Sequence, residues 1–225
     1  MSLAFYRLQQ LISPGLPIGA FTYSQGMEWA VECGWIRDDV TLHDWLHGCL
    51  FDSVAVLELP VLKRLHDALL ASDDEAFREW AAYLVASRET KELRLEEGQR
   101  AMALTQVLRK LPDADALDLP RWQDALALTQ LAPLALACHH WQVLQQDMLR
   151  GHAWSWLENM VTVAVKLVPL GQSDGQRVLY RLSDVLDEVV AQASALSDDE
   201  LGAFTPAAAI ASSLHETQYC RLFRS

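Results

Sequence analysis

Apolar residues recur at helical spacing along almost the whole chain, and that periodicity leaves little room for anything but an all-α fold. The clearest run is Val178, Leu179, Leu182, Val185, Leu186, Val189, Val190 and Ala193, which places one continuous stripe on a single helix face. Such a face has to be covered by other helices. Similar patterns predict helices over 3–12, 22–33, 42–54, 57–71, 73–86, 88–110, 121–148 with a bend or break at Pro133, 152–168, 173–194 and 206–217. Val161 to Val168 is rich in β-branched residues, but Trp154, Leu157, Val161, Val165 and Val168 keep a helical step and no partner strand is visible. The expected architecture is a single all-α domain over 1–217, a bundle of about ten helices with no β-sheet, followed by a distinct segment 218–225.

Helix starts are written locally. Ser72 to Glu75 and Ser197 to Glu200 have the S-x-x-E form of a capping box, Thr41 to Asp44 offers another cap, and Thr205-Pro206 supplies an N-cap followed by proline at the first helical position. Leu111 to Pro120, with three Asp and two Pro, reads as a surface loop.

Charge narrows the function classes. Eighteen Lys and Arg stand against 30 Asp and Glu, a net charge of −12, whereas proteins that wrap nucleic acid or lie on anionic membranes need a cationic face. The longest stretch free of formal charge, Ala125 to Gln146, contains Thr129, Pro133, two His and four Gln, and is too polar for a membrane span. Met1 to Ile12 has no basic residue ahead of its apolar part and is interrupted by Arg7, Gln9 and Gln10, so a cytoplasmic protein is expected. Cys33, Cys49, Cys138 and Cys220 form no CxxC pair and are expected to be free thiols.

Phosphate-binding and nucleophile-elbow signatures are absent, and Ser24 reads as a helix cap. His43-Asp44-Trp45-Leu46-His47 sets two imidazoles one helical turn apart. The pair is either the start of a metal site, which would make the chain a small metal-dependent helical enzyme, or two unrelated histidines on a surface helix. His139 and His140 point about 100 degrees apart and read as packing residues. Arg88 to Arg100 carries four basic and four acidic residues, with Arg88–Glu92 and Glu96–Arg100 at i, i+4, and forms either a solvated face or a charged docking face.

Two loops and the last segment are harder to assign to packing. Ser13 to Phe21 concentrates two Pro and two Gly around Leu16, Ile18 and Phe21, and Pro169 to Gln176 breaks two apolar helices just after Lys166, the one Lys or Arg between His152 and Gln176. Residues 1–215 carry 16 Lys and Arg against 29 Asp and Glu, but 216–225 carries Arg221 and Arg224 against Glu216. Tyr219, Leu222, Phe223 and the two arginines are the residue types that anchor interfaces, so 218–225 is expected to be a mobile tail that docks on a partner. On a mobile tail, Arg221 or Arg224 could also serve as an arginine finger for a GTPase.

Four ordered motifs carry a family resemblance: Ser13-Pro14 with Leu16 to Glu28, Arg88 to Arg94, Lys166 to Gln172, and His215 to Ser225. Together they resemble the UreF family of urease accessory proteins, from the first helix to the last residue, with 111–146 departing most. The resemblance implies an all-helical, non-catalytic chaperone of urease maturation. Such a protein forms a homodimer and binds an accessory protein of the UreD (or UreH) type, a GTPase of the UreG type and apo-urease. It holds no permanent cofactor, and nickel is handled by the assembled complex. It further implies that Phe21, Tyr23, Ser24, Gln25, Gly26 and Glu28 face the GTPase or the nickel path. Lys166 with Pro169, Leu170, Gly171 and Gln172 would lie on a regulatory face, and Tyr219, Arg221, Leu222, Phe223 and Arg224 would join a partner interface.

Overall fold

The longest rod in the molecule runs without interruption from Asp39 to Ala71, although its hydrogen bonding changes along the way. It begins as α3 (Asp39–Cys49), widens to a π-helical stretch over Leu50–Glu58, and ends as α4 (Leu59–Ala71). The Leu59 N–H donates to Val54 O, five residues back. Val56 O, whose i+4 neighbour Pro60 has no N–H to offer, accepts from Gly202 N at 3.0 Å. Asp52 O likewise accepts from Phe204 N at 2.9 Å. The wide turn thus anchors the distant segment 201–204.

This computed structural model describes residues 3–225; the first two positions of the expected 1–217 domain, Met1 and Ser2, lie outside the described residues. Among those described there is no β-strand, and the remaining helices are α1 (Leu3–Leu11), α2 (Met27–Glu32), α5 (Asp74–Ala86), α6 (Lys91–Arg109), α7 (Gln123–Leu126), α8 (Leu131–His140), α9 (Gln145–Leu167), α10 (Gln172–Ser183), α11 (Leu186–Ala195) and α12 (Pro206–His215). The fold is a single all-α domain. Helix α8 is buried along its length from Leu131 to Cys138 and sits between α4 and α6, while α9 lies beside α4 and carries α10 and α11 back against it. Helix α12 packs on α2. By length and composition the rod 39–71 could cross a membrane, but Leu42, Leu46, Leu50, Leu57, Leu62 and Leu65 are fully buried in the core. The four cysteines are free, and burial pushes the Cys138 thiol up to about 12.

Several expected boundaries shift for local reasons. The helix expected over 121–148 is three helices, and Pro133 does not break α8 because it lies in the first turn, where no N–H is required. Gln142 at φ 55° ends that segment instead. The stripe expected on one helix over 173–194 is split between α10 and α11, with Val178, Leu182, Val189 and Ala193 still buried on a common core. Helix α3 starts earlier than expected, with Asp38 as its cap: Thr41 N donates to Asp38 Oδ1 at 2.8 Å. Asp73, not Ser72, caps α5. The loop 111–120 is pinned by buried Leu117 and Leu119.

The largest departure is Arg88 to Arg100, expected to be a solvated or docking face. Helix α6 begins only at Lys91, capped by Thr90, so Arg88 lies outside it and cannot pair with Glu92 one turn on. Arg88 turns inward to Glu58 Oε1 at 2.8 Å and Glu97 Oε1 at 2.5 Å, with all three side chains buried. His152 from α9 meets Glu58 Oε2 at 3.0 Å, and Thr129 Oγ1 donates to Glu97 Oε2 at 2.7 Å. The expected Glu96–Arg100 pair does form, at 2.8 Å, but it too is buried.

Burial alone would raise the Glu58 carboxyl, but the Arg88 guanidinium and His152 hold it well below the usual carboxylate range. A depressed folded value means that its stabilisation is complete above the ordinary Glu value, about pH 4.3, and is lost as pH falls through the folded one. Arg88→Ala leaves buried Glu97 with no cationic partner and Glu58 with His152 alone, and should cost about 3–5 kcal/mol in urea unfolding at neutral pH. Adding Glu58→Gln should recover part of that loss.

Candidate functional site

Residues 20–28 are the place where the separately marked segments meet. The chain enters through Gly19 at φ 70°, makes a single 3-10 turn over Ala20–Thr22, runs extended at Tyr23, and turns into α2 at Gly26, φ 84°. Residues of this stretch reach α6 and α9. Ala20 O accepts from Asn159 Nδ2 of α9 at 3.1 Å, and the Phe21 ring receives Lys166 Nζ at 5.3 Å from its centroid. Tyr23 Oη donates to Gln99 Oε1 of α6 at 2.6 Å. Gln25 donates to Glu96 Oε1 at 3.0 Å and accepts from Trp156 Nε1 at 3.1 Å, so one amide joins α6 to α9.

The terminal segment closes over this stretch. Ser225 O accepts from Ser24 N at 2.7 Å and from Ser24 Oγ at 2.5 Å, Arg224 N donates to Thr22 O at 2.9 Å, and Ser225 Oγ donates to Glu96 Oε2 at 2.9 Å. Glu28 accepts from Leu222 N at 2.6 Å and Phe223 N at 2.9 Å, and Glu92 accepts from Arg221 Nη1 at 2.6 Å. Phe223 is 7% exposed and Ser225 1%. The expectation of a mobile tail is therefore corrected: Glu28, Ser24 and Thr22 satisfy its backbone and its phenylalanine joins the core.

Beneath it, His215 of α12 is fully buried, with Nδ1 2.7 Å from Glu92 Oε2 and Nε2 3.1 Å from Glu28 Oε2. Thr90 and Ser212 share a hydrogen bond at 2.8 Å, and Glu216 accepts from the N–H of Lys91 at 2.9 Å, near the free N-terminal amides of α6. Burial raises the Glu96 carboxyl, opposed by Arg100 and the Gln25 hydrogen bond, and leaves it above its ordinary range.

Of the residues marked near the N-terminus, Phe21 is exposed and Gln25 half-buried, whereas Tyr23, Ser24, Gly26 and Glu28 are buried under the terminal segment and α12. Ser24 has no base beside it; besides Ser225 it accepts from the N–H of Glu28 at 3.3 Å, as a cap does. Lys166, Pro169, Gly171 and Gln172 are exposed and Leu170 half-buried, and only Lys166 reaches the other segments, through Phe21. In the terminal segment Tyr219 is 100% exposed and Leu222 and Arg224 are exposed, and on helix α12 Ile210 and Leu214 are exposed one turn apart. Arg221 is held by Glu92 rather than free to act as a finger.

His43 and His47 stack with ring centroids 6.0 Å apart on α3, away from this centre. Asp44 lies 3.3 Å from His43, Phe51 packs 4.6 Å from His47, and among the described residues no group of three or more His, Cys, Asp or Glu is placed to hold a metal ion.

What residue spacing missed is the clasp of His215 between Glu28 and Glu92, and the buried Arg88 cluster. A signal for the second was present: Glu58 is a lone carboxylate inside Val54-Ala55-Val56-Leu57-Glu58-Leu59-Pro60-Val61-Leu62, where burial demands a partner.

These features define an all-helical protein organised around one docked terminal segment. The UreF family model matches residues 36–183. The urease accessory protein UreF of Alcanivorax borkumensis is 64% identical over 225 residues, covering 99% of this chain and 98% of that protein. Those of Pseudomonas putida strain W619 and Alkalilimnicola ehrlichii are 50% and 45% identical, each over 99% of this chain and over 98% and 96% of their own lengths. The chain belongs to the UreF family of urease accessory proteins.

Gly26 sits where a Cβ would lie 2.5 Å from Ser212 N and 2.9 Å from its Cα, at a backbone angle that disfavours side chains. Gly26→Ala should therefore cost more than about 1 kcal/mol and loosen α12 and the terminal segment before the rest of the fold, visible as faster amide exchange confined to 206–225.

Proposed function

We propose that this protein acts in urease maturation as a non-catalytic assembly factor. In this reading it docks a UreD- or UreH-type accessory protein and a UreG-type GTPase, as a homodimer in the cytoplasm, and the assembled complex delivers nickel to apo-urease with GTP hydrolysis. Nickel is cargo here and not a resident cofactor. Family membership supports the urease assignment. The observation that carries the docking role is the exposure of the apolar side chains of Ile210, Leu214, Tyr219 and Leu222 on α12 and the segment after it, although Phe223 and Ser225 of that segment are buried.

Apolar side chains on an ordered helix and a seated segment cost little entropy to bury against a partner, and aromatic side chains are the strongest anchors in such contacts. Lys166 Nζ lies 5.3 Å from the Phe21 ring centroid, and both side chains are exposed. A cation over an aromatic face is a modest interaction, about 0.5–1 kcal/mol when exposed, and can be exchanged for a partner's carboxylate.

The test uses point variants on exposed positions, because deleting the docked segment would uncover Glu28, Glu96 and the Phe223 site. Tyr219→Asp with Leu222→Asp should leave the circular-dichroism spectrum unchanged and the melting temperature within a few degrees, yet abolish co-purification of the UreD-type protein or the GTPase from cells expressing the urease cluster. Full recovery of both partners would remove this surface from the proposal. Lys166→Ala should likewise keep the fold while lowering the yield of active, nickel-loaded urease; wild-type yield would end the regulatory assignment.

A further inference from the structure

Helix α6 sorts its charges by face. Its acids turn inward: Glu96 and Glu97 are buried, and Glu92, its side chain 12% exposed, is spent on His215 and Arg221. Of the cations on the helix and its C-cap, only Arg100 follows them, pairing with Glu96. Lys91, Arg94, Arg109 and Lys110 stand exposed, with Leu95, Gln99, Met102 and Gln106 exposed between them.

Such a face is out of keeping with the rest of an acidic chain. Ten of the 18 Lys and Arg are ion-paired among the described residues, and five of the other eight lie here: those four and Arg224, whose Nη1 donates to Gln99 Oε1 at 3.4 Å. Arg109 and Lys110 suit the negative end of the helix dipole, but Lys91 and Arg94 sit in the first turn, where a cation is unfavourable. Arg94 Nη1 donates to Arg88 O at 2.7 Å, whereas the amides of that turn are served by Thr90 and by the exposed Glu216. Glu89 and Asp115, the exposed acids nearest in sequence, lie beyond the two ends of the helix.

We propose that this face of α6 is a docking surface for an acidic amphipathic helix of a partner protein. Leu95 and Met102, exposed two turns apart, give it an apolar centre in which the methionine can adapt to its contact. Cations at both ends, about 22 Å apart along the axis from Arg94 to Arg109, set the spacing of the partner's carboxylates. Nucleic acid fits poorly: phosphates offer no apolar complement to Leu95 and Met102, and a chain of net charge −12 repels a polyanion. Arg221 and Arg224 carry the basic surface onto the segment that bears Tyr219 and Leu222. Which protein supplies the helix rests on the function proposed above; the chemistry of the face does not.

Lys91→Glu with Arg94→Gln tests it, because an acid in the first turn improves the dipole interaction while the cationic end is lost. The melting temperature should hold or rise. The tagged full chain is purified from cells expressing the urease cluster and washed with salt from about 0.1 M to about 0.5 M. The wild type should retain a cluster protein at low salt and shed it at high salt, and the double variant should retain about tenfold less at low salt. Met102→Glu, at an exposed position that leaves every cation in place, should lose it as well. Wild-type recovery by either variant overturns the proposal, and so does wild-type capture indifferent to salt or nucleic acid eluting in place of protein. If Tyr219→Asp with Leu222→Asp abolishes capture while both α6 variants keep it, the assembly role stands and this face is removed from it. Capture of no cluster protein by the wild type removes both.

Discussion

The architecture depends on one guanidinium. Arg88 sits between helices, yet through Glu58 it holds the 39–71 rod and through Glu97 it holds α6. His152 extends the cluster to α9 and Thr129 to the approach of α8. Buried ion pairs contribute little net stability compared with apolar packing, because desolvation offsets most of the attraction. What they impose is register. Helices covered in Leu, Ala and Val can slide on one another at low cost, whereas a carboxylate that misses its arginine is stranded in the core. The cluster therefore fixes the rod, α6 and α9 relative to one another, and the polar centre around residues 20–28 is built on α6 and α9.

On that frame the polar centre is assembled from short reaches by many elements. Gln25 bridges Glu96 and Trp156, Tyr23 reaches Gln99, and Glu28 collects His215 with two amides of the terminal segment. No nucleophile is paired with a base there; the donors and acceptors are spent on holding chain segments together.

Much of the helical fold was legible because the 3.6-residue period of Val178, Leu182, Val189 and their neighbours survives even where the axis breaks between α10 and α11. Breaks were less legible, since they depend on single residues such as Gln142 adopting a left-handed backbone or on Pro133 falling in a first turn. The four motifs of the resemblance were visible as unusual strings, but their convergence was not. Nothing in the local spacing of Arg88 distinguishes a surface i, i+4 pair from a reach to Glu58 thirty residues back. The terminal segment was misjudged for a similar reason. Its anchors, Ser24 and Glu28, lie at the other end of the chain, and local composition carries no trace of a contact that distant.

That distance has a consequence for synthesis. The hydrogen bond from Ser24 to Ser225 spans 201 positions. While the ribosome is still extending the chain, helices 39–195 can collapse, but residues 20–28 have no lid, and Glu28 and Ser24 stay hydrated until residues 215–225 emerge. Closure is a late, high-contact-order event following an otherwise local folding process. A nascent chain therefore presents to solvent the same open polar seat that the folded protein keeps covered.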